Sequence, residues 1–340
     1  MWTEQYLDEL LTTPSLALAN DLAKVEGDIM ILGAGGKMGP SLSLLAKNAC
    51  NKAGVNKKII AVSRFSDPHA VALLEKNGVE MISADLMTPG ALNQLPDVPN
   101  IIYMAGRKFG TDGQEYLTWA MNTWLPALVA ERFRNSRIVV FSSGNIYPMV
   151  SPRDGGCDES TPLDPVGEYA MSTLGRERAF EYASKTYGTP VCMYRLNYAV
   201  DLRYGVLNDI AQNIMAGKPV VITAPVFNCL WQGHANEVAL RCLTICESPA
   251  TALNVTGPET VSVRWAAMEL GKYLGIEPII EEPERTSDHA LINNASKMCE
   301  LFGYPEVSLS QLIRWQAEWL QSGGRVLGKP THFEQRKGKF

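Results

Sequence analysis

Asp28-Ile29-Met30-Ile31-Leu32-Gly33-Ala34-Gly35-Gly36-Lys37-Met38-Gly39 is the stretch on which the fold turns. A short, nearly continuous apolar run suits a strand covered on both faces. It ends in glycines spaced G-x-x-G-x-x-G through Gly33, Gly36 and Gly39. The G-x-G-x-x-G spacing fails because Met38 takes its last position. Glycine is required where a pyrophosphate must approach the backbone closely. The helix that follows offers N–H groups and a partial positive charge to an anion. Taken alone, the same glycines also read as a tight structural turn.

Working outward, the apolar run recurs. Lys58–Val62, Val79–Ala84, Asn100–Ala105 and Ile138–Ser142 read as further strands, and windows of helical period separate them, notably Lys37–Ala53 and Gln114–Arg134. This alternation predicts an α/β fold, a Rossmann-type doubly wound parallel sheet with helices on both faces. Ligands of such sheets sit beyond the C-terminal strand ends, and each notable motif falls there. The loop Gly33, Gly35, Gly36, Lys37, Met38 and Gly39 follows the first strand. Ser63 and Arg64 follow the second, Asp85 and Leu86 the third, Ala105, Gly106 and Arg107 the fourth. Ser142 and Ser143 end the fifth. With Asn122, on the helix after the fourth strand, these, apart from Ser143, are the candidate cofactor contacts.

The position after the second strand sets cofactor preference. A carboxylate there would hold the ribose hydroxyls of NAD and repel a 2′-phosphate. Ser63 and Arg64 stand there instead. Arg64 can pair with that phosphate and Lys37 can assist, so NADP is expected over NAD.

The chain has 340 residues, 46% apolar and 20% charged, with net charge −5. That is enough for a sizeable core, and it gives no electrostatic reason to seek nucleic acid or anionic lipid. No run approaches a membrane span, and the first twenty residues do not form a signal peptide, so a cytoplasmic protein is expected. The seven cysteines show neither CxxC nor zinc-ligand spacing, which reads as buried free thiols and no metal. Residues 1–26 form an N-terminal helical arm, with Pro14 opening a helix, and residues 27–198 the dinucleotide-binding core. Strands from about 219–257 are expected to return to its sheet. Residues 199–218 and 258–325 make a smaller substrate-binding lobe woven into it. The basic tail 326–340, with Lys329, Arg336, Lys337 and Lys339, reads as a solvated end.

Several segments together resemble the extended short-chain dehydrogenase/reductase family, in its NAD-dependent epimerase/dehydratase branch. They are the glycine loop, Asp85-Leu86, Met104-Ala105-Gly106, Phe141–Tyr147, Glu168–Ser172, His234–Ala239 and Leu301–Pro305. The resemblance spans about Asp28 to Leu320. It implies that Tyr169 is the general acid or base and that Ser143 hydrogen-bonds the reacting oxygen. It also implies a homodimer through a four-helix bundle of Gln114–Arg134 and Gly167–Lys185. Trp119, Trp124, Leu125 and Phe133 either supply that interface or pack on the sheet. His234 matches a position that is usually structural.

The family's lysine, four residues after the tyrosine, is Thr173 here. That lysine lowers the tyrosine's pKa, and threonine carries no charge. An unperturbed tyrosine has a pKa near ~10 and is about 0.1% phenolate at neutral pH. On a helix Arg176 shares the face of Tyr169 and Thr173, but lies ~10 Å along the axis against ~6 Å for the missing lysine. Lys185, at ~24 Å, is excluded. Arg107 and Lys108, from another loop at the same sheet edge, are better placed to supply a charge or grip an anionic substrate. The family's Arg-x-x-Asn is altered: in Arg195-Leu196-Asn197-Tyr198 the asparagine comes one residue early. Lys108, Asn145, Asn197, Arg203 and Tyr204 are the candidate substrate residues. Two functions fit. One is an NAD(P)-dependent oxidoreductase or epimerase acting on a carbohydrate, nucleotide sugar, polyol or hydroxy acid. The other is a nucleotide-binding relative without turnover, serving as redox sensor or assembly subunit.

Overall fold

The computed structural model describes residues 2–108, 113–283, 288–328 and 331. Seven strands form one parallel sheet: β1 (Ile29–Leu32), β2 (Ile59–Ser63), β3 (Glu80–Ser83), β4 (Asn100–Tyr103), β5 (Arg137–Ser143), β6 (Val191–Leu196) and β7 (Thr251–Val255). Their order is β7-β6-β5-β4-β1-β2-β3. In register, Ile29 pairs with both Ile59 and Asn100, and Ser143 with Leu196. The continuous apolar runs have the expected cause, since β1 and β4 are buried at every residue. Strand β3, at the sheet edge, is not.

The expected strands from 219–257 divide. Thr251–Val255 joins the sheet beside β6. Val220–Val221 instead pairs with Ile280–Glu281, because Val220 and Ile222 are drawn into a second apolar core away from the sheet.

The N-terminal arm is two helices, α1 (Glu4–Thr12) and α2 (Leu16–Lys24). Pro14 lies in the break between them, and the Ser15 hydroxyl caps α2 by accepting from Leu18 N. Leu18 and Leu22 pack in the main core with Leu42 and Leu45 of α3 (Gly39–Ala53). Leu7 and Leu11 pack in the second core. The arm therefore belongs to this chain's own interior.

After α4 (Pro68–Lys76), the Gln114–Arg134 window forms α5 (Glu115–Trp119), a π turn and α6 (Leu125–Arg132). Leu125 and Phe133 pack on the sheet, whereas Trp124 is 52% exposed. Across from them runs α7 (Gly167–Tyr187), whose outer stripe exposes Met171 and Tyr182. The rest of the chain adds α8 (Val206–Met215), α9 (Gln232–Arg241), α10 (Val263–Leu274), α11 (Ser296–Phe302) and α12 (Leu309–Gln321). The second core gathers α1, α8, α10 and α12.

Of the seven free thiols, Cys50, Cys157, Cys192, Cys229 and Cys242 are buried. Among the described residues no helix is long and apolar enough to cross a membrane.

The segment read as a solvated tail is anchored where it is described. Leu327 N donates to Arg203 O at 2.9 Å, and Thr331 is buried. Its basic residues Lys329, Arg336, Lys337 and Lys339 lie outside the described residues.

Candidate active site

The sheet order reverses between β1 and β4, so a crevice opens at their C-terminal ends. The glycine loop crosses it. Gly33 has φ +94°, and a Cβ there would meet the Ala105 backbone N at 2.6 Å. A Cβ on Gly39 would overlap the Ala34 carbonyl, so α3 starts hard against the loop. Gly36 has only the Gly33 carbonyl, at 3.5 Å, within reach. The N-terminus of α3 has no side-chain cap at Met38. Tight packing on two sides, open space on the third and an uncapped helix end fit a pyrophosphate-bearing dinucleotide.

At the tip of β2, a Cβ on Gly35 would collide with the Ser63 hydroxyl, which ties that residue to the loop. Arg64 is exposed and makes no ion pair among the described residues. Asp85 accepts from Met87 N at 3.0 Å, and Leu86 sinks into the core beneath β1 and β4. Gly106 lies against the Arg176 guanidinium, which a Cβ there would strike.

Asn122, expected as a cofactor contact, is fully engaged by protein. Its Oδ1 accepts from Arg107 N at 2.8 Å and Arg176 Nη2 at 2.9 Å. Its Nδ2 donates to Arg107 O at 2.8 Å and the Ser172 hydroxyl at 3.0 Å. These four bonds fill an asparagine's capacity, so Asn122 clamps the loop after β4 to α7 and has none left for a ligand.

Thr173 is completely buried, and its hydroxyl has no partner among the described residues. The buried hydroxyls of Ser142 and Tyr103 share that condition. Arg176 does not reach back to Tyr169. Its Nη1 donates to Phe141 O at 2.6 Å and its Nη2 to Asn122, which turns the charge into the sheet.

The cation near the tyrosine comes from the loop after β4. Lys108 Nζ lies 5.7 Å from the centre of the Tyr169 ring. Burial lowers the pKa of that ammonium to about 8 against the opposing pull of Asp209. Neighbouring Arg107 turns away to Gln114. Lys37 places its Nζ 3.7 Å from the centre of the Tyr204 ring, so the glycine loop touches the smaller lobe. Tyr204 is pushed well above the ordinary tyrosine range, by burial first and then by Tyr169, Asp209 and Asp201. Lys37, Lys108, Tyr169 and Tyr204, all singled out in the sequence, thus meet in one crevice. Asp209, on the first turn of α8, is an addition: its sequence neighbours carry no motif that would have flagged it.

The Ser143 hydroxyl accepts from Asn145 N at 3.2 Å, which holds the turn after β5. Asn197 packs under Gly144 and donates to Asn228 at 3.0 Å. Beside them stands Asn293, buried, with neither side-chain polar atom partnered among the described residues. A Cβ on Gly144 would come 2.7 Å from its Oδ1. Only the fold brings this asparagine against Gly144, the residue after Ser143, and nothing in the local sequence marks it.

Arg203, expected to touch substrate, is held by carboxylates of the chain itself. Asp201 takes its Nε and Nη2 at 3.1 and 2.8 Å, while Glu4 and Asp8 accept from Nη1 at 3.0 and 2.9 Å. Three carboxylates consume the guanidinium, which fastens α1 to the lobe. His234, at a position read as structural, has a buried Nε2 without a partner among the described residues. Burial and Arg241 lower its pKa to about 4.

Among the described residues no grouping of His, Cys, Asp and Glu suits a metal. No protein of curated function matches the chain by sequence. Solved structures match over 87% of it. They include MoeE5 in complex with UDP-glucose and NAD (18% identity, TM-score 0.69, 99% of that chain). UDP-glucuronic acid 4-epimerase from Bacillus cereus in complex with NAD matches at 17% identity, TM-score 0.70 and 99% of that chain. DesIV, a dTDP-glucose 4,6-dehydratase from Streptomyces venezuelae with NAD and TYD bound, matches at 18%, TM-score 0.72 and 97%. At such identities the likeness speaks for the fold. The model of the "NAD dependent epimerase/dehydratase family" matches residues 29–245, well over half of the sequence, and the chain belongs to that family.

Proposed function

We propose that this protein is an NAD(P)-dependent oxidoreductase or epimerase acting on a nucleotide sugar or a related carbohydrate, with Tyr169 as acid/base. The observation that carries the reading is the ammonium of Lys108 standing 5.7 Å from the Tyr169 ring, in a site whose lysine position is threonine. A cation beside the ring favours negative charge on its phenolic oxygen. A crevice with no further use for Tyr169 has no reason to hold a partly desolvated ammonium there.

Gly33, Gly36, Gly39 and the first turn of α3 would hold the dinucleotide's phosphates, with Lys37 beside them. Nicotinamide, when bound, supplies the hydride chemistry. The chain's own residues manage the proton and the geometry. Tyr169 takes the proton of a sugar hydroxyl at its phenolic oxygen, or returns it. The Ser143 hydroxyl, set by the turn at Asn145, orients the reacting oxygen. Lys108 balances charge at Tyr169 in place of the family's lysine. Arg64, exposed at the tip of β2 where a carboxylate would favour NAD, supports NADP as the preferred form. The named ligands of the structural neighbours, UDP-glucose among them, support a nucleotide sugar as substrate. Met171 and Tyr182 on α7 and Trp124 beside α6, all exposed, support a homodimer through these helices.

The test is a panel of UDP- and dTDP-sugars with NADP and NAD, followed by nicotinamide absorbance and by product analysis for epimers. Turnover that Tyr169→Phe lowers by at least ~10²-fold is expected. Nucleotide binding without turnover on any sugar would favour the non-catalytic reading instead.

A further inference from the structure

We propose that Arg176 is the counter-charge for the anionic part of the dinucleotide, acting from beneath the crevice. The inference rests on the reading of that crevice as a dinucleotide site.

Three arginines among the described residues are buried: Arg176, Arg195 and Arg203, at 5, 7 and 9% exposure. Arg195 pairs with Glu177, and Arg203 with Asp201, Glu4 and Asp8. Arg176 has no carboxylate in ion-pair reach among the described residues. Its Nη1 and Nη2 donate to neutral acceptors, Phe141 O at 2.6 Å and Asn122 Oδ1 at 2.9 Å, and its Nε has no partner there. The Tyr103 ring, its centre 5.8 Å from Cζ, offsets only a small part of a full charge. An arginine side chain stays charged in proteins, and a buried charge without a counter-ion destabilises the fold. The hydroxyls that flank it bring no negative charge. Thr173 lies one turn earlier on α7 and Ser142 follows Phe141 in β5, both buried and without a hydrogen-bond partner among the described residues.

The guanidinium stands in the wall of the crevice. A Cβ on Gly106 would strike its Nη2 and come 3.3 Å from its Cζ, so the charge lies directly behind the Gly106 backbone. Ala105, one residue earlier, is the residue whose backbone N a Cβ on Gly33 would meet at 2.6 Å. The charge is thus one residue from the seam between the glycine loop and the end of β4, beside the loop proposed to hold the phosphates. A pyrophosphate is the anion this wall lacks. Burial keeps the field of Arg176 from being screened by water and salt, so it acts on both NADP and NAD, unlike a contact to the 2′-phosphate.

The test is isothermal titration of the full chain with NADP, NAD, ADP and adenosine. Arg176→Gln removes the charge and keeps an amide that can donate to Phe141 and Asn122. Arg176→Lys keeps the charge. A unit charge about 10 Å away changes a dissociation constant on the order of tenfold at an effective dielectric of ~20. Arg176→Gln is therefore expected to weaken NADP, NAD and ADP by roughly that factor and to leave adenosine, which is uncharged, as it was. Arg176→Lys should retain most of the affinity. A merely structural Arg176 would weaken adenosine as much as ADP, and that result overturns the proposal. So does unchanged ADP binding in Arg176→Gln, or an equal loss in Arg176→Lys. An Arg176→Gln chain that no longer folds overturns it too, because the charge would then serve the fold itself. Titration needs no turnover: a parent chain that binds neither dinucleotide sinks the functional reading, whereas a parent that binds them and an Arg176→Gln variant that binds them equally well sink this proposal alone.

Discussion

The ammonium of Lys108 and the ring of Tyr169 come together, 5.7 Å apart, from the loop after β4 and from α7. The loop is pinned to the helix through Asn122, which bonds Arg107 on one side and Ser172 and Arg176 on the other. With the ring-centre distance standing in for the separation of charge, Coulomb's law at an effective dielectric of ~20 gives on the order of 3 kcal/mol, or about a hundredfold in rate if all of it is expressed. Lys108→Met is therefore expected to lower turnover by ~10–10²-fold with a smaller effect on KM. Adding Thr173→Lys, which restores a cation on the tyrosine's own helix face, is expected to recover much of that loss. Steady-state kinetics on the active sugar check both. A Lys108→Met enzyme at full speed would remove Lys108 from the chemistry.

The pH dependence follows from the same group. A lysine of ordinary pKa stays charged through the whole working range. Burial brings Lys108 to about 8, so its charge is complete below that pH and is lost as pH rises through it. Activity is expected to fall on the alkaline side with a midpoint near that value. The limb should disappear in Lys108→Met, whose residual rate lacks this ionisation. A pH–rate profile for the two proteins decides the matter.

Beneath the site, Arg195 of β6 meets Glu177 of α7 in a two-pronged ion pair, at 3.0 and 2.8 Å. It also donates to the Tyr147 hydroxyl, which in turn donates to Asn254 of β7. Both charged side chains are under one-tenth exposed. Removing one partner leaves the other charge buried and uncompensated, at a cost of about 3–5 kcal/mol. Glu177→Ala is expected to lose that much stability in denaturant unfolding. Activity should fall as well, because this pair seats the helix that carries Tyr169.

Much of the crevice was legible because its parts are local. A strand followed by glycines, a Ser-Ser pair at a strand end and a tyrosine opening a helix each announce themselves in a few residues. The alternation of β1 to β5 then places them on one edge. The failures share a different cause, namely partners distant in the chain. Arg203 looked free for substrate because Glu4 and Asp8 lie some 200 residues earlier, and only folding brings α1 to it. Asn122 carries the residue type of a cofactor contact, yet its four bonds run to Arg107, Ser172 and Arg176. Val220–Val221 reads as strand from composition alone, while its place outside the main sheet depends on the second core. Asn293 and Asp209 bear no motif. Their roles arise from the neighbours that the lobe folds against them.

The proposed preference for NADP is tested at Arg64. Its guanidinium is exposed at the sheet tip where the adenosine ribose of a bound dinucleotide lies in folds of this kind. A guanidinium–phosphate pair contributes ~1.5–3 kcal/mol. Arg64→Ala is expected to weaken NADP binding by more than about tenfold and to leave NAD nearly unchanged. Isothermal titration with both nucleotides checks this, and equal losses for the two would move the 2′-phosphate contact elsewhere.

Arg203 separates a substrate role from a structural one. It carries the only positive charge among the described residues in ion-pair contact with Asp201 and Asp8, and burial already pushes the Asp8 carboxyl upward against the pull of that arginine. Arg203→Gln leaves these carboxylates and Glu4 crowded at the base of α1. The lobe is expected to lose about 2–4 kcal/mol, somewhat less than a fully buried pair because Glu4 is partly exposed. The arm should then detach first, exposing the Thr13–Ser15 break to proteolysis. At a temperature where the variant remains folded, KM should be unchanged, since the buried guanidinium spends four of its five N–H donors on Asp201, Glu4 and Asp8. A raised KM with an intact arm would return Arg203 to the substrate site.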